Sequence, residues 1–288
     1  MIEKQENVYL NIYPTKYKCR IIFFSKHKNN IEILSEEDIK IPMDNRVFIE
    51  KTFRESYIDK ISLYINNEKL KYKKCKSVFI NIQESDVILK NIKIDPEIKK
   101  KDLVKAVNME IEEFYTNSFN EYCINYKKIN EDNNENDIQV VLFPKKYIDL
   151  FAEICDRICI ENRAMHTNFD LINRIIKIKG GKIFEMMEQA GVVEFRDEDL
   201  VISIFENQQL KYSYVIKKED FTEDLFRSIF SDCMGILCVG NKEITDIEIL
   251  QKFSKYLELN LEEDVIYTKN DKRVSAKEYF NITGKLLN

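Results

Sequence analysis

The sequence predicts an α/β fold of two domains, in which mixed sheets are flanked by helices and a small α+β subdomain is inserted into the first domain. Strand-like runs of alternating apolar residues take turns with segments whose apolar residues recur every three or four positions. A group of three strand-like runs occurs twice, within residues 8–34 and again within residues 192–216. Between the groups lies Gly180-Gly181, the first glycine pair of the chain and a natural domain boundary.

The first domain is expected to comprise residues 1–83, with a return of the chain at residues 157–179. Its elements are read from apolar spacing, with turns placed at prolines and polar clusters. The predicted strands are Val8 to Ile12, Cys19 to Phe24, Ile31 to Leu34, Ile61 to Ile65 and Ser77 to Ile82. The predicted helices are Arg46 to Tyr57 and, in the return, Asn168 to Ile178.

The inserted subdomain is predicted over residues 84–156 as helix, strand, turn, strand and helix. Apolar residues at helical spacing predict its first helix, and they are Leu103, Val107, Ile111, Phe114 and Tyr115. Alternation predicts strands at Tyr122 to Tyr126 and Ile138 to Phe143. Pro144 lacks a backbone donor and suits the first turn of a helix, so a second amphipathic helix is expected after it.

The second domain is predicted over residues 180–288. Its predicted strands are Val192 to Phe195, Leu200 to Phe205, Leu210 to Ile216, Ile236 to Val239 and Val265 to Tyr267. Its predicted helices are Asp220 to Phe230 and Asp246 to Leu257. The order of hairpin, third strand and helix repeats that of the first domain, which indicates two related halves.

Composition and charge exclude several function classes. The net charge is −5 with lysines spread among acids, which argues against nucleic acid as a partner. No stretch approaches the roughly 18 uncharged apolar residues of a membrane span, and Met1 to Glu6 lack the apolar core of a signal peptide. We therefore expect a cytoplasmic protein without direct membrane insertion.

The residues that could carry metal or acid–base chemistry are few. Seven scattered cysteines are typical of reduced, buried thiols. Cys155 and Cys159 share a helix face, but no histidine or second cysteine pair nearby completes a zinc site, so no metal is expected. His27 and His166 are the only histidines. A structural role for His166 is favoured over a catalytic one.

Three stretches of the insert resemble the type IV pilus assembly protein PilM family. They are Ala106 to Phe114, Asn125-Tyr126 and Val140 to Lys145. In that family the region reads as a helix with alternating acidic residues and an aromatic, a strand ending in Asp-Tyr, and an apolar strand ending in Pro-Lys. The similarity is weaker elsewhere, although Tyr279 to Leu287 looks like the family's terminal helix. The resemblance implies an actin-like fold.

The resemblance also locates where nucleotide would bind. An actin-like ATPase holds phosphates between two β-hairpins with Asp-x-Gly turns, because glycine lets backbone N–H groups approach the phosphate. Here the two places hold Asn11-Ile12-Tyr13 and Glu194-Phe195-Arg196, and Gly240 stands alone where the family has a glycine run. Arg196 is expected in a solvated acidic turn. We interpret the site as degenerate and expect no cofactor and no enzyme activity.

What the resemblance implies for function is a cytoplasmic scaffold of type IV pilus biogenesis, peripheral to the cell membrane through its partners. PilM proteins hold the cytoplasmic N-terminal peptide of the bitopic membrane protein PilN in a groove beside the inserted subdomain, and communicate with the pilus extension ATPase. Such binding needs exposed apolar and aromatic side chains. The candidate partner-binding residues are Met109, Glu113, Phe114, Tyr115 and Tyr122.

Two alternatives stay open at the level of sequence. One is an actin-like ATPase or kinase with a divergent nucleotide site, which micromolar binding of magnesium ATP would favour. The other is the actin-like cytoplasmic domain of a type II secretion platform protein. Those proteins continue into a membrane helix, and no such helix is expected before Asn288.

Overall fold

A computed structural model describes residues 7–28, 30–72, 75–82, 84–99, 101–114, 119–129, 136–175, 187–196, 199–240, 256–258, 266–270, 272–275, 279 and 282. The strands are β1 Val8–Pro14, β2 Cys19–His27, β3 Asn30–Ile39, β4 Cys75–Ile82, β5 Ile88–Ile94, β6 Tyr122–Lys128, β7 Asn136–Pro144, β8 Asn162–Thr167, β9 Gln189–Phe195, β10 Asp199–Glu206, β11 Gln209–Lys217, β12 Gly235–Gly240, β13 Tyr256–Glu258, β14 Ile266–Lys269 and β15 Lys272–Val274. The helices are α1 Asn45–Ile49, α2 Lys51–Lys71, α3 Leu103–Phe114, α4 Lys145–Arg157, α5 Asn168–Ile175 and α6 Glu223–Phe230.

The first domain is built on a seven-stranded sheet in the order β15-β14-β3-β2-β1-β4-β8. β1, β2 and β3 form an antiparallel meander. β4 pairs parallel with β1, and β8 pairs parallel with β4. Leu10 and Ile12 of β1 are fully buried, opposite Phe23 and Ile21 of β2. The predicted opening hairpin and the strand at Ser77 to Ile82 are therefore confirmed.

One predicted strand of the first domain is wrong. Residues 61–65 belong to the single long helix α2. The buried residues of α2 recur at helical spacing, and they include Ile58, Ile61 and Ile65. The short apolar run at the helix centre looks like a strand only when it is read without its neighbours, because short runs fit both periods.

The insert consists of a three-stranded antiparallel sheet, β5-β7-β6, with α3 on one face. Its own core joins α3 to β7 through Val107, Ile111, Val140 and Leu142. β5 was not predicted from the sequence, because its apolar residues alternate with lysine and asparagine only over a short run. With α3, β6 and β7 present, the predicted helix and the two predicted strands are confirmed.

α4 lies in the predicted insert, residues 84–156, but packs on the first domain. Leu150, Phe151 and Ile154 join the same core as the residues of β1 and β4. The outer face of α4 pairs with α2, since the Arg54 guanidinium lies 2.7 Å from Glu153. The separate core of the insert therefore includes residues from β5 to β7, while α4 contributes to the core of the first domain.

The second domain is built on a five-stranded sheet in the order β11-β10-β9-β12-β13. α6 begins at the cap Thr222, whose side chain accepts a hydrogen bond from the Leu225 N–H. One face of the sheet forms a core with α6 through Val193, Ile202 and Phe226. The other face carries Ala190 and Val192 into the core of the first domain.

The last described strands do not stay with the second domain. β14 pairs parallel with β3, and β15 pairs with β14, so residues 266–274 extend the first sheet. Tyr267 stacks on Tyr279, and Glu36 of β3 accepts hydrogen bonds from Lys269 and Tyr279. Residues 266–274 of the predicted second domain, 180–288, thus pair with the first sheet, and the predicted domain boundaries stay a prediction.

Two further predictions fall mainly outside the described residues. Of the predicted helix Asp246 to Leu257, only its last two residues are described, and they belong to strand β13, so the helix cannot extend that far. Of the predicted terminal helix, Tyr279 and Ile282 are described, and both side chains are buried. Gly180-Gly181 also lies outside the described ranges.

Candidate functional site

The ends of β1 and β9 meet where the two large sheets face each other. Tyr13, the penultimate residue of β1, donates a hydrogen bond of 3.0 Å to Oε1 of Glu194, the penultimate residue of β9. Asn168, the first residue of α5, donates from Nδ2 to both Glu194 oxygens at 2.9 and 3.0 Å and to the Tyr13 hydroxyl at 3.1 Å. We call Tyr13, Asn168 and Glu194 the latch.

Strand alternation explains why Glu194 reaches this position. In β9, Ala190 and Val192 point towards the core of the first domain, so Glu194, two residues further on, points the same way. Glu194 and Asn168 are completely buried. The predicted strand Val192 to Phe195 is confirmed, and the structure places the Glu194 carboxyl group inside the molecule.

The latch has unusual electrostatics. Burial raises the pKa of Glu194 to about 7, although the positive charge of Arg196 and the hydrogen bonds from Tyr13 and Asn168 act in the opposite direction. Burial, with the neighbouring Glu194 charge, also raises the pKa of the Tyr13 phenol well above its usual value. The phenol is therefore a hydrogen-bond donor at every physiological pH.

Arg196 is not in a solvated turn, which corrects the sequence prediction. Its side chain is only 6% exposed and pairs with Asp199 through both Nε and Nη2, the second contact at 2.6 Å. Glu84, between β4 and β5, is close enough for the charge of Arg196 to affect its carboxyl group, while burial raises the pKa of Glu84 to about 7. Glu84, Asp199 and Arg196 thus lie close to the latch at the domain boundary.

Asn11, the other predicted residue at this place, is buried in β1. Among the described residues its side-chain oxygen has no hydrogen-bond partner. It lies two residues before Tyr13 on the same face of β1. The structure therefore brings Tyr13, Glu194 and Arg196 together, and leaves Asn11 outside their hydrogen bonds.

Gly240 has a backbone role that the structure makes clear. It ends β12 with a φ of +84°, and it pairs with Phe195 at the end of β9. A Cβ atom at this position would collide with the Phe195 carbonyl oxygen. The geometry of the sheet is sufficient to require glycine here.

A groove lies between the insert and the first domain. It has a volume of about 410 Å³. β6 and β8 each contribute consecutive residues to its lining, and we call them its walls; α4 contributes Ile148, Phe151 and Ala152, and we call it the floor. The residues lining it are Ile80, Cys123, Ile124, Asn125, Val141, Phe143, Ile148, Phe151, Ala152, Arg163, Ala164, Met165, His166, Thr167 and Asp170.

The groove is bordered by two strand edges. β6 ends the sheet of the insert and β8 ends the sheet of the first domain, so each has a neighbouring strand on one side only among the described residues. The lining is mainly apolar, with Arg163 and Asp170 as its charged members. Arg163 is held by Asp156 at 3.0 Å and Asp170 by the Thr167 hydroxyl at 3.0 Å.

Of the predicted partner-binding residues, Met109, Glu113 and Tyr122 are not part of the groove lining. Met109 is 58% exposed on α3, and Glu113 is exposed on the same helix. Tyr122 packs against the core of the insert. Phe114 ends α3, its side chain is not described, and Tyr115 lies outside the described residues. Their role in partner binding stays a prediction.

The groove residues were not predicted, because the candidate partner-binding residues came mainly from the region of helix α3 and not from the sheet of the insert. Cys123, Ile124 and Asn125 line the groove, and Ile124 also packs with Tyr122 against the core of the insert. The alternation of polar and apolar residues in β6 was visible in the sequence, but it does not show which face a second domain covers. That information comes from the packing of β7 and α4.

The described part of the chain has neither a membrane-spanning helix nor a cluster of metal ligands. No helix there is long and apolar enough to cross a bilayer. Within the same residues, no three histidine, cysteine, aspartate or glutamate side chains converge as metal ligands would. The predictions of no metal and no nucleic-acid partner stay predictions.

The fold is actin-like, as predicted, and solved structures establish this. No protein-family model and no curated protein sequence matches the chain. The structure titled PilM-PilN type IV pilus biogenesis complex is similar with a TM-score of 0.66 at 12% identity, over 97% of each chain.

Two further structures share the fold. The cytoplasmic domain of EpsL, an inner membrane component of the type II secretion system of Vibrio cholerae, has a TM-score of 0.59 at 9% identity, over 98% of this chain and 96% of that one. A Bacteroides thetaiotaomicron protein with an actin-like ATPase fold and unknown function has a TM-score of 0.51 at 14% identity, over 90% of this chain and 94% of that one. At these identities the likeness concerns the fold.

Proposed function

We propose that this protein is an actin-like scaffold of a type IV pilus or related secretion assembly, and that it binds an extended peptide of a membrane-protein partner in the groove between β6 and β8. The observation that carries the proposal is the pair of strand edges bordering an apolar groove. A strand edge offers unpaired backbone N–H and C=O groups, which an extended peptide can satisfy.

The side chains of the groove define what the peptide should look like. An extended chain places alternate side chains on opposite sides. Those facing the floor would meet Ile148, Phe151 and Ala152 of α4, and would therefore be apolar. Arg163 and Asp170 at the walls are already paired within the protein, so they favour polar over strongly charged neighbours in the peptide.

The partner that fits is the cytoplasmic N-terminal peptide of a bitopic inner-membrane protein, PilN-like in a pilus system. Support comes from the fold shared with the PilM-PilN complex and with the cytoplasmic domain of EpsL. Through this partner the protein would be cytoplasmic and peripheral to the membrane. Its further role would be to couple the partner to the pilus extension ATPase.

We propose that the scaffold acts without ATP turnover. Where two hairpins would hold phosphates, Tyr13 and Glu194 are hydrogen-bonded to each other, so the space between these turns is filled by side chains. A buried carboxyl group there would also oppose an anionic phosphate. A divergent ATPase or kinase is the alternative, and calorimetry with magnesium ATP separates the two, because micromolar affinity would overturn this part of the proposal.

The peptide proposal is tested by fluorescence anisotropy with a synthetic, fluorescein-labelled N-terminal peptide of the bitopic membrane protein encoded beside this chain. Ala152→Arg places a long charged side chain on the groove floor and is expected to weaken binding at least tenfold. Asp149→Arg, on the same helix but outside the groove lining, is the matched control and is expected to leave the affinity within twofold.

Two results would overturn the proposal. One is the absence of measurable binding by the wild-type chain. The other is equal weakening by Ala152→Arg and Asp149→Arg, which would indicate a nonspecific charge effect. A peptide from a type II secretion component is the second probe, and preferential binding of that peptide would assign the scaffold to secretion instead of pili.

A further inference from the structure

We propose that the groove and the latch are coupled, so that a peptide in the groove tightens the contact between the two domains, and that opening the latch weakens peptide binding. The inference rests on the proposed function of the groove. It concerns regulation of that site, and it follows from the short segment of residues 166–170, which belongs to both features.

The segment joins the groove to the latch directly. His166, Thr167 and Asp170 line the groove. Asn168, between them, points the other way and donates hydrogen bonds to Glu194 and Tyr13. The Thr167 hydroxyl donates to Asp170 at 3.0 Å, which ties the end of β8 to the first turn of α5. A shift of this turn therefore moves a groove wall and a latch residue together.

The hydrogen bonds of the latch are sensitive to small shifts of its side chains. Glu194 is completely buried, and it accepts hydrogen bonds from Tyr13 and Asn168, both of the first domain. A buried carboxyl group that loses its donors is destabilised strongly. Retraction of Asn168 by an ångström would thus favour separation of the second domain, whereas a well-ordered Asn168 holds it in place.

The direction of the coupling follows from strand addition. β8 is an end strand, with β4 on one side only among the described residues. A peptide strand along its free edge would order β8 and the turn into α5, and so would hold Asn168 in donor position. Because coupling between two sites is reciprocal, an intact latch must in turn favour the peptide-bound groove.

The insert has its own contact with the second domain, in addition to the latch. Gln139 and Asn91 of the insert donate to the Leu210 carbonyl oxygen at 2.7 and 3.3 Å. Gln139 lies on the same face of β7 as Val141 and Phe143, which line the groove. The insert and the first domain, which together line the groove, therefore each make hydrogen bonds to the second domain.

The test uses Tyr13→Phe in the full chain, because Tyr13 does not line the groove and the substitution removes only the hydroxyl. Tyr72→Phe is the matched control: its hydroxyl also makes a 2.9 Å hydrogen bond, to the Leu34 carbonyl, but within the first domain. We expect Tyr13→Phe to weaken binding of the fluorescein-labelled peptide about fivefold and Tyr72→Phe less than twofold. Equal affinities for wild type and Tyr13→Phe would overturn the coupling.

Hydrogen exchange gives the second readout. Saturating peptide is expected to slow amide exchange about fivefold at residues 13, 15 and 16 and at residues 194–196 of the wild type, and to have no such effect in Tyr13→Phe. Peptide binding without slower exchange at these residues would overturn the inference while leaving the proposed function intact.

If the peptide does not bind the wild type, the proposed function fails, and Thr167→Val decides the coupling without it. This substitution removes the groove-side hydrogen bond to Asp170 and keeps the shape of the side chain. Faster exchange at residues 194–196, by about fivefold, would support a link between groove wall and latch. Exchange equal to that of the wild type would overturn it.

Discussion

Tyr13 donates a 3.0 Å hydrogen bond to Glu194 across 181 residues of sequence. The contact joins the penultimate residues of two equivalent strands, β1 and β9, in the two halves of the fold. It brings a phenol and a carboxyl group into direct contact where the two domains meet. The proposed lack of ATP turnover depends on the side chains that fill this place, and the proposed coupling depends on the two domains that the contact joins.

The buried carboxyl group of Glu194 should make stability depend on pH. Its pKa rises from 4.5 to about 7 on folding, so the folded state binds the proton more tightly than the unfolded state. The stabilisation is complete below pH 4.5 and is lost as the pH rises to about 7. The free energy of unfolding should therefore fall between pH 5 and pH 8 by on the order of 3 kcal/mol.

Denaturant unfolding at several pH values checks this prediction. Glu194→Gln should flatten the curve, because glutamine does not titrate. Glu84→Gln should flatten it to a similar extent, because burial raises the pKa of Glu84 to about 7 as well. A Glu194→Gln curve parallel to that of the wild type would contradict the assignment.

Glu36 should act with the opposite sign. Burial opposes its ionisation, but the Arg20 charge and hydrogen bonds from Arg20, Lys269 and Tyr279 lower its pKa below the usual value. Its contribution to stability is present above the unfolded pKa and is lost as the pH falls. Glu36→Gln should therefore destabilise the protein by about 1–3 kcal/mol at pH 7 and by less at pH 3.

Glu36→Gln also tests how strand β14 is held against β3. Glu36 links β3 to Lys269 of β14 and to Tyr279, so hydrogen exchange in β14 should accelerate in Glu36→Gln. Lys18, which pairs with Asp38 on the neighbouring surface, supplies the control, and Lys18→Gln should have little effect there. Equal acceleration by both variants would show that Glu36 does not anchor the return.

Local patterns were sufficient for most of the fold. The hairpin β1–β2, the insert from α3 to β7 and the strands β9 to β12 all follow from periodicity and from turn-forming residues. Periodicity failed within α2, where a short apolar run fits two periods, and at β5, which is short and half polar. The return of β14 to β3 pairs residues more than 230 positions apart, and no local signal specifies such a pairing.

The candidate site was only partly predictable. The positions of Tyr13 and Glu194 followed from the resemblance of the chain to actin-like proteins, but Asn168 was not singled out, because a helix-starting asparagine usually caps its own helix. The groove depends on which strands are left at the ends of two sheets. That is a property of the topology, which the amino-acid pattern of one strand does not contain.

Two leucine-sized residues distinguish the helix from the predicted strand in residues 61–65. Ile61 is fully buried and Leu63 is 65% exposed, as a helix requires, whereas a strand would place both on one face. Ile61→Ala should cost about 2–5 kcal/mol of unfolding free energy. Leu63→Ala should change it by less than about 0.5 kcal/mol. Similar losses of unfolding free energy for both substitutions, measured by denaturant unfolding, would support the predicted strand over the helix.

Substitutions of Gly240 test whether the sheet requires this glycine or whether it is a remnant of a nucleotide-binding loop. With a φ of +84° and the Phe195 carbonyl oxygen against its Cα, the residue should tolerate no side chain. Gly240→Ala should lower the free energy of unfolding by about 2 kcal/mol or more.

Gly240→Asn tells the two causes of this loss apart. Asparagine accepts a positive φ better than alanine, but its Cβ meets the same carbonyl oxygen. If the collision dominates, as the geometry indicates, asparagine should cost about as much as alanine. Recovery of most of the stability in Gly240→Asn would assign the loss to φ alone, and wild-type stability in Gly240→Ala would show that the sheet does not need this glycine, which would reopen a ligand-binding role for it.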